Sequence, residues 1–194
     1  MKIYDISQEV FSCMVYPGDP TPEKKVISSM AEGDLYNLSA FSMCAHNGTH
    51  IDSPFHFIND GKTVEQIEIE KFAGFCYVAE FDGVLSRHDA DNIIKKAGEK
   101  FGKRILIKGD ATVSEEAAEV FSESGIYLLG NESQSVGPED APMSVHLKLL
   151  KKDIVLLEGI RLENVNEGGY LLCAAPLKLK GADGAPCRAI LIEL

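Results

Sequence analysis

The 194-residue chain carries 30 acidic against 19 basic side chains, a formal net charge of −11 with no basic block, so its average field repels a phosphate backbone and nucleic acid is excluded as an expected partner. Hydrophobic residues make up 45% and charged residues 25%, the balance of a globular chain with a buried apolar interior and not of a disordered one. No run of about 18 apolar residues offers a membrane span, and the start, "MKIYDISQEVF", alternates polarity where a signal peptide carries an apolar core; a cytoplasmic protein without a membrane partner is expected.

The first sixty residues read as extended segments joined by turns: "KIYDISQEV", a "YPGDP" turn, "KKVISSM" and "YNLSAFSMCA" are β-branched, aromatic or alternating. From Phe75 the texture changes. "FCYVAEF" reads as a strand, Ser86 or Asp89 caps a helix through "ADNIIKKAGEKFG", "RILIKG" is a second strand, and "VSEEAAEVFSES" a second helix with Ser114 at its start. "IYLLG" is a third strand, "VHLKLLKK" a short helix before the strand "IVLLEGI", and "YLLCAAPL" and "RAILIEL" close the chain as strands. This strand-helix-strand order calls for parallel strands with right-handed crossovers. With no linker or repeat to divide it, residues 1–194 are expected to form a single α/β domain, a β-rich N-terminal layer laid against a parallel central sheet. The five cysteines, Cys13, Cys44, Cys76, Cys173 and Cys187, are scattered without a C-x-x-C pair and are expected as reduced, buried thiols.

The segment "CAHNGTHIDSPFHF", Cys44 to Phe57, concentrates the chemistry. His46 and His50 would share a face of a helix, but Asn47, Gly48 and Thr49 between them and Pro54 beyond disfavour one. As extended chain the segment sorts by the strand period of two, placing His46, Gly48, His50, Asp52, Pro54 and His56 on one side. A straight strand would spread six residues over about 17 Å, so the chain must curl, and Asn47–Gly48 is the natural turn. Imidazoles with a carboxylate suit Zn²⁺ or Mn²⁺, and three protein ligands leave an open position where bound water reaches a pKa of about 7.

At this point the chain resembles a known family. "HNGTHIDSPFHF" is similar to the H-x-G-T-H-x-D-x-P-x-H motif of the metal-dependent cyclase/hydrolase family that includes bacterial kynurenine formamidase and isatin hydrolase. "YPGDPTP", "GNESQSVGP", "SVHLKLLKKDIVLLEGIRLENV" and "YLLCAAPLKLKGADGAPCRAILIEL" resemble further segments of the formamidase in order. The resemblance implies a three-layer β/β/α (swivelling-type) domain, assembled as a homodimer or higher homo-oligomer. It implies His46, His50 and Asp52 as the first ligand group, and Asp52, His146 and Glu158 around a second ion. Zinc is the expected metal and manganese the alternative, with one or two ions per subunit. His56 matches the acid/base histidine, and Tyr16 stands where the formamidase usually has a tryptophan lining the substrate pocket. The activity it implies is metal-dependent hydrolysis of a small amide, N-formylkynurenine to kynurenine and formate in tryptophan catabolism. A cyclic amide or lactone hydrolase such as isatin hydrolase, and a metal-binding module without turnover, are the alternatives.

Each of these residues also has a plainer reading. His146 fits a polar helix start, Glu158 an exposed strand end, His56 a core histidine and Tyr16 a turn anchor. Asp19 reads as a turn stabiliser, His88 as a solvated helix start, and Glu132 and Ser133 as weak pocket candidates.

Overall fold

A computed structural model describes residues 1–194. Its centre is built from apolar runs that read the same way in both directions across the sheet. Strand β5 (Ala73–Glu80), β7 (Arg104–Lys108), β9 (Leu128–Asn131) and β10 (Val155–Glu158) lie side by side, each parallel to the next. In β7, Ile105 and Ile107 enter one core cluster while Leu106 enters a second on the opposite face; in β10, Leu156 enters the first while Val155 and Leu157 enter the second. Strands buried on both faces need apolar residues at every position, which is why "RILIK" and "IVLLE" are runs and not alternations.

Three α-helices cover the first face. α1 (Arg87–Phe101) starts at a capping box in which Ser86 accepts from the Asp89 N–H and Asp89 accepts from the Ser86 N–H, so the two candidate caps share the task. α2 (Glu115–Glu123) is capped by Ser114, whose hydroxyl accepts from the Ala117 N–H, and buries Ala117, Ala118, Val120 and Phe121. α3 (Met143–Leu150) follows Pro142 and buries Val145, His146, Leu149 and Leu150.

Antiparallel strands extend the sheet on both sides to nine. On one flank, β11 (Gly168–Cys173), β13 (Ile190–Glu193) and β1 (Ile3–Asp5) follow outward from β5. On the other, β4 (His50–Asp52) pairs antiparallel with β10, and β12 (Gly184–Pro186) pairs antiparallel with β4. The expected N-terminal β layer is therefore divided. β1 and β4 are built into opposite flanks of one mixed sheet, while β2 (Glu23–Ser28) and β3 (Leu38–Ser42) pair only with each other in an exposed hairpin. A short parallel pair, β6 (Gly83–Leu85) with β8 (Ala111–Val113), stands apart. All five cysteines are free, but only Cys76 is fully buried and Cys173 is exposed, which corrects the expectation of uniformly buried thiols.

Candidate metal centre

Glu158 ends β10, so the carboxyl edge of the parallel strands, where open α/β sheets collect ligands, carries a buried acid. β4 runs antiparallel beside it and sets His50 directly opposite Glu158. Within β4 the strand period turns His50 and Asp52 to one face and Ile51 into the core. The rest of the histidine segment is not strand. Gly48 makes the turn with φ +63°, and a β-carbon there would lie 2.9 Å from that of Cys13; this curl brings His46 back to Asp52. Pro54 opens a 3-10 turn, Pro54–His56, which delivers His56. The same-side register of a long strand thus holds for His50 and Asp52 alone, and two turns supply the other imidazoles.

Asp52 is the centre of the cluster. Its Oδ1 lies 2.8 Å from His46 Nδ1 and 3.3 Å from His50 Nε2. Its Oδ2 lies 3.6 Å from His146 Nε2 and 4.0 Å from His56 Nε2. Glu158 completes the far side, with Oε2 3.5 Å from His50 Nε2 and Oε1 3.2 Å from His146 Nε2. Two of the imidazoles are oriented from behind: His50 Nδ1–H donates to the Gly48 carbonyl at 3.0 Å and His146 Nδ1–H to the Pro142 carbonyl at 2.8 Å. A carbonyl only accepts, so each Nδ1 keeps its proton and Nε2 is the nitrogen turned to the carboxylates; with no cation present Nε2–H donates to them, and on losing that proton Nε2 is the atom that would bind a metal. The Val136 N–H donates to Glu158 Oε1 at 2.8 Å and holds that carboxylate in place.

The electrostatics are those of a packed charge cluster. Burial works to lower the His46 and His50 pKa values, but Asp183 and Asp52 around His46, and Asp52 and Glu158 around His50, hold both up at about 10. Burial works to raise Asp52, and the His46 and His50 bonds keep it well below the usual carboxylate range. His146 is also raised against its burial, chiefly by Glu158. His56 differs: burial dominates and pushes it down, favouring the neutral ring.

These residues fit a divalent cation. Asp52 Oδ2 is buried and has no hydrogen-bond partner, a cost that a positive ion would remove. The donor atoms of His46, His50 and Asp52 lie within 4.8 Å of one another, as do those of Asp52, His146 and Glu158. The two groups share Asp52, and their nitrogen and oxygen donors suit zinc or manganese.

The Cyclase family model, described as "Putative cyclase", matches residues 4–138. The kynurenine formamidase of Erythrobacter litoralis (strain HTCC2594) is 33% identical over 204 residues, covering 100% of this chain and 94% of that relative. The chain belongs to this cyclase family. The kynurenine formamidase of Bacillus anthracis is 35% identical over 208 residues, covering 98% of this chain and 97% of its own. Among solved structures, one described as "The Structure Of Potential Metal-Dependent Hydrolase With Cyclase Activity" superposes with TM-score 0.82 at 27% identity over 98% of this chain and 96% of its own. Isatin hydrolase A from Labrenzia aggregata, at TM-score 0.85 and 21% identity over 98% of this chain and 93% of its own, shares the fold.

The cyclase-family site opens into a cleft of about 400 Å³ whose walls include His46, His50, His56, His146 and Glu158. Tyr16 is both turn anchor and wall: it lines the cleft while its hydroxyl donates to the Glu139 carbonyl at 2.8 Å. Asp19 lines the cleft too, accepting from the Cys44 thiol at 3.6 Å. Glu132 is not a pocket residue; its carboxylate accepts from the Gly109 and Leu162 N–H groups. Ser133 instead accepts from the Ser135 N–H, and His88 is exposed on α1.

Asp183, Gln134 and Ser135 line the cleft without having been singled out in the sequence. Asp183 lies in "KGADGAP" next to Gly184, which stands opposite Asp52 in the β4–β12 pair. A β-carbon on Gly184 would lie 2.7 Å from His46 Cε1, so the bare backbone there gives the imidazole its room. An Asp-Gly pair near a short C-terminal strand was the available signal, but only the strand pairing gives it meaning.

Proposed function

We propose that this chain is a metal-dependent amidohydrolase that removes the formyl group of an arylformamide, N-formylkynurenine in the leading case, giving kynurenine and formate in tryptophan catabolism. The observation that carries the reading is Asp52, whose Oδ2 is buried without a hydrogen-bond partner and whose carboxylate is shared by two donor groups, next to an open cleft lined by His46, His50, His56, His146 and Glu158. The full-length likeness to proteins named kynurenine formamidase supports the substrate.

His46, His50 and Asp52 would hold one ion and Asp52, His146 and Glu158 a second, with zinc as the leading candidate and manganese the alternative. When bound, such a cation supplies Lewis acidity and activates water at neutral pH. Hydrolysis adds water across the carbon–nitrogen bond, oxygen to the formyl carbon and a proton to the departing nitrogen. His56 is the proton carrier: its burial keeps the ring neutral and ready to accept, and Nε2 faces the cluster. An anilide nitrogen leaves poorly unless protonated, so this transfer is the step His56 accelerates. Tyr16 forms part of the wall against the substrate's aromatic ring.

The whole chain, 1–194, reads as one domain, with the three α-helices on one face of the sheet and a second core cluster on the other; the three-layer β/β/α arrangement is the reading that the family likeness supports. No helix is long and apolar enough to cross a membrane; a small-molecule substrate in the cytoplasm fits this reading. The exposed apolar side chains Val26, Ile27, Leu38 and Phe41 on the β2–β3 hairpin support a homodimer or higher homo-oligomer, because a two-stranded hairpin is marginal in water without cover.

The test is hydrolysis of N-formylkynurenine by metal-stripped protein reconstituted with zinc or manganese separately, alongside isatin and a lactone. Turnover of the formamide with either ion supports the reading. Turnover of isatin alone transfers the site to cyclic amides, and a tightly held ion with no turnover of any substrate identifies a non-catalytic module.

A further inference from the structure

The pairing of β12 with β4 does more than close the sheet. The Asp183 carbonyl accepts from both the N–H of Ser53, at 2.9 Å, and its hydroxyl, at 2.8 Å, and Gly184 sits in register with Asp52. The backbone of Asp183 is thereby fixed to the segment that joins Asp52 to His56. Its carboxylate stands at the mouth of the cleft, with Oδ2 2.8 Å from His46 Nε2 and 3.5 Å from His56 Nδ1. The two rings lie against each other, centroids 4.0 Å apart and planes 30° apart, so one carboxylate reaches both.

We infer that Asp183 is the positioning residue for His56, taking its Nδ1–H so that Nε2 is the nitrogen turned toward the reacting groups. The inference rests on the hydrolase reading above and deepens it. His50 and His146 are each oriented by a backbone carbonyl at Nδ1; at His56 the group facing Nδ1 is a carboxylate. A carbonyl would fix the tautomer only. A carboxylate also stabilises the ring while it carries two protons, and it can serve two imidazoles because each oxygen has more than one lone pair. At 3.5 Å the contact is an ion pair longer than a formed hydrogen bond, and the positioning role requires it to shorten when substrate fills the cleft, as catalytic hydrogen bonds that are long in apo proteins do.

The proton balance is then complete. Neutral His56, protonated at Nδ1, takes a proton onto Nε2 as water adds to the formyl carbon. The ring is an imidazolium held by Asp183 until the carbon–nitrogen bond breaks. It then passes the Nε2 proton to the departing nitrogen and returns to its starting tautomer, leaving the free arylamine and formic acid, which gives its remaining proton to solvent and departs as formate.

The experiment compares wild type, D183N and D183A, all zinc-loaded, on formanilides running from electron-rich to p-nitro and on an aryl formate ester. The expected result is a kcat loss of about 10²-fold or more for D183N on electron-rich formanilides, falling to a few-fold on the ester, with zinc content unchanged and no added loss when D183N is combined with H56A. In parallel, ¹⁵N–¹H NMR of the ion-free and zinc-loaded proteins reads the His56 tautomer. Wild type is expected to carry the proton on Nδ1, and D183A to shift it to Nε2. Equal losses on every leaving group, loss of zinc from D183N, or an Nε2–H tautomer in wild type overturns the inference. Wild-type silence on all formanilides overturns the arylformamidase reading instead, and the NMR tautomer then decides the Asp183–His56 relationship by itself.

Discussion

His50 and Glu158 face each other across the antiparallel β4–β10 pair, with Nε2 3.5 Å from Oε2 and both side chains almost wholly out of solvent. A strand contributed by the first third of the chain and one from its last quarter thus hold two charged groups whose burial is tolerable only in company. Removing either partner leaves the other uncompensated, the costly case for buried pairs.

Asp52 tests the shared-ligand reading. Asp52→Ala removes the carboxylate on which His46, His50 and His146 converge. Metal content by plasma mass spectrometry is expected to fall below a tenth of wild type with turnover lost in parallel. The metal-free variant is expected to unfold about 3–5 kcal/mol more easily than metal-free wild type. Stoichiometric zinc in the variant would remove Asp52 from the ligand set.

His56 separates holding from turnover. It lies on the 3-10 turn with its ring partly exposed to the cleft, so His56→Ala is expected to keep its metal and its melting temperature while kcat falls about 10²–10⁴-fold. An active His56→Ala would move the acid/base role elsewhere.

The pH dependence follows from the signs. The ion-free cluster holds His46 and His50 at about 10, above the ordinary 6.5. A raised value means stabilisation that is fully present below about pH 6.5 and lost as pH rises through about 10. The melting temperature of chelator-treated protein should therefore decline between pH 7 and 10, and that of zinc-loaded protein should decline less. Ligation needs neutral imidazole, so zinc uptake at pH 7.5 should release protons, read by calorimetry in buffers of different ionisation heat. Uptake without proton release would contradict the protonated cluster.

Gly159 is the tightest point behind the site. It adopts φ +68°, and a β-carbon there would lie 2.2 Å from the Gly48 carbonyl oxygen and 2.3 Å from Gln134 Nε2. The same Gly48 oxygen accepts from His50 Nδ1 and from Gln134. Gly159→Ala is expected to destabilise by more than the roughly 1–2 kcal/mol of a left-handed alanine and to weaken zinc affinity at least tenfold by turning His50. Unchanged unfolding and zinc affinity would show that the loop has slack.

Much of this was legible because local physics and tertiary demand agreed. Residues buried on two faces wrote β7 and β10 as apolar runs, while Ser86 and Ser114 announced their helices by capping chemistry. The same five metal-capable side chains that the sequence and its family resemblance indicated converge in the structure, and the turn at Asn47–Gly48 lies where a glycine allowed it. What was hidden depends on partners distant in the chain. Nothing local distinguishes β1, which joins the main sheet through β13, from β2, which does not. β12 is Gly-Ala-Pro, without an apolar pattern, so Asp183 had no visible neighbours. The long histidine strand failed at Pro54, where the ring's fixed φ favoured a 3-10 turn over continued pairing.

The placement of β4 between β10 and β12 also imposes an order in time. During synthesis His46, His50 and Asp52 emerge early, but Glu158 follows Asp52 by 106 positions and Asp183 comes later still. β4 has no sheet to join until β10 exists, so the nascent chain exposes three metal-capable side chains well before it can enclose an ion. A divalent ion held by both ligand groups would therefore enter only after Glu158 has been made, as a latch between β4 and β10.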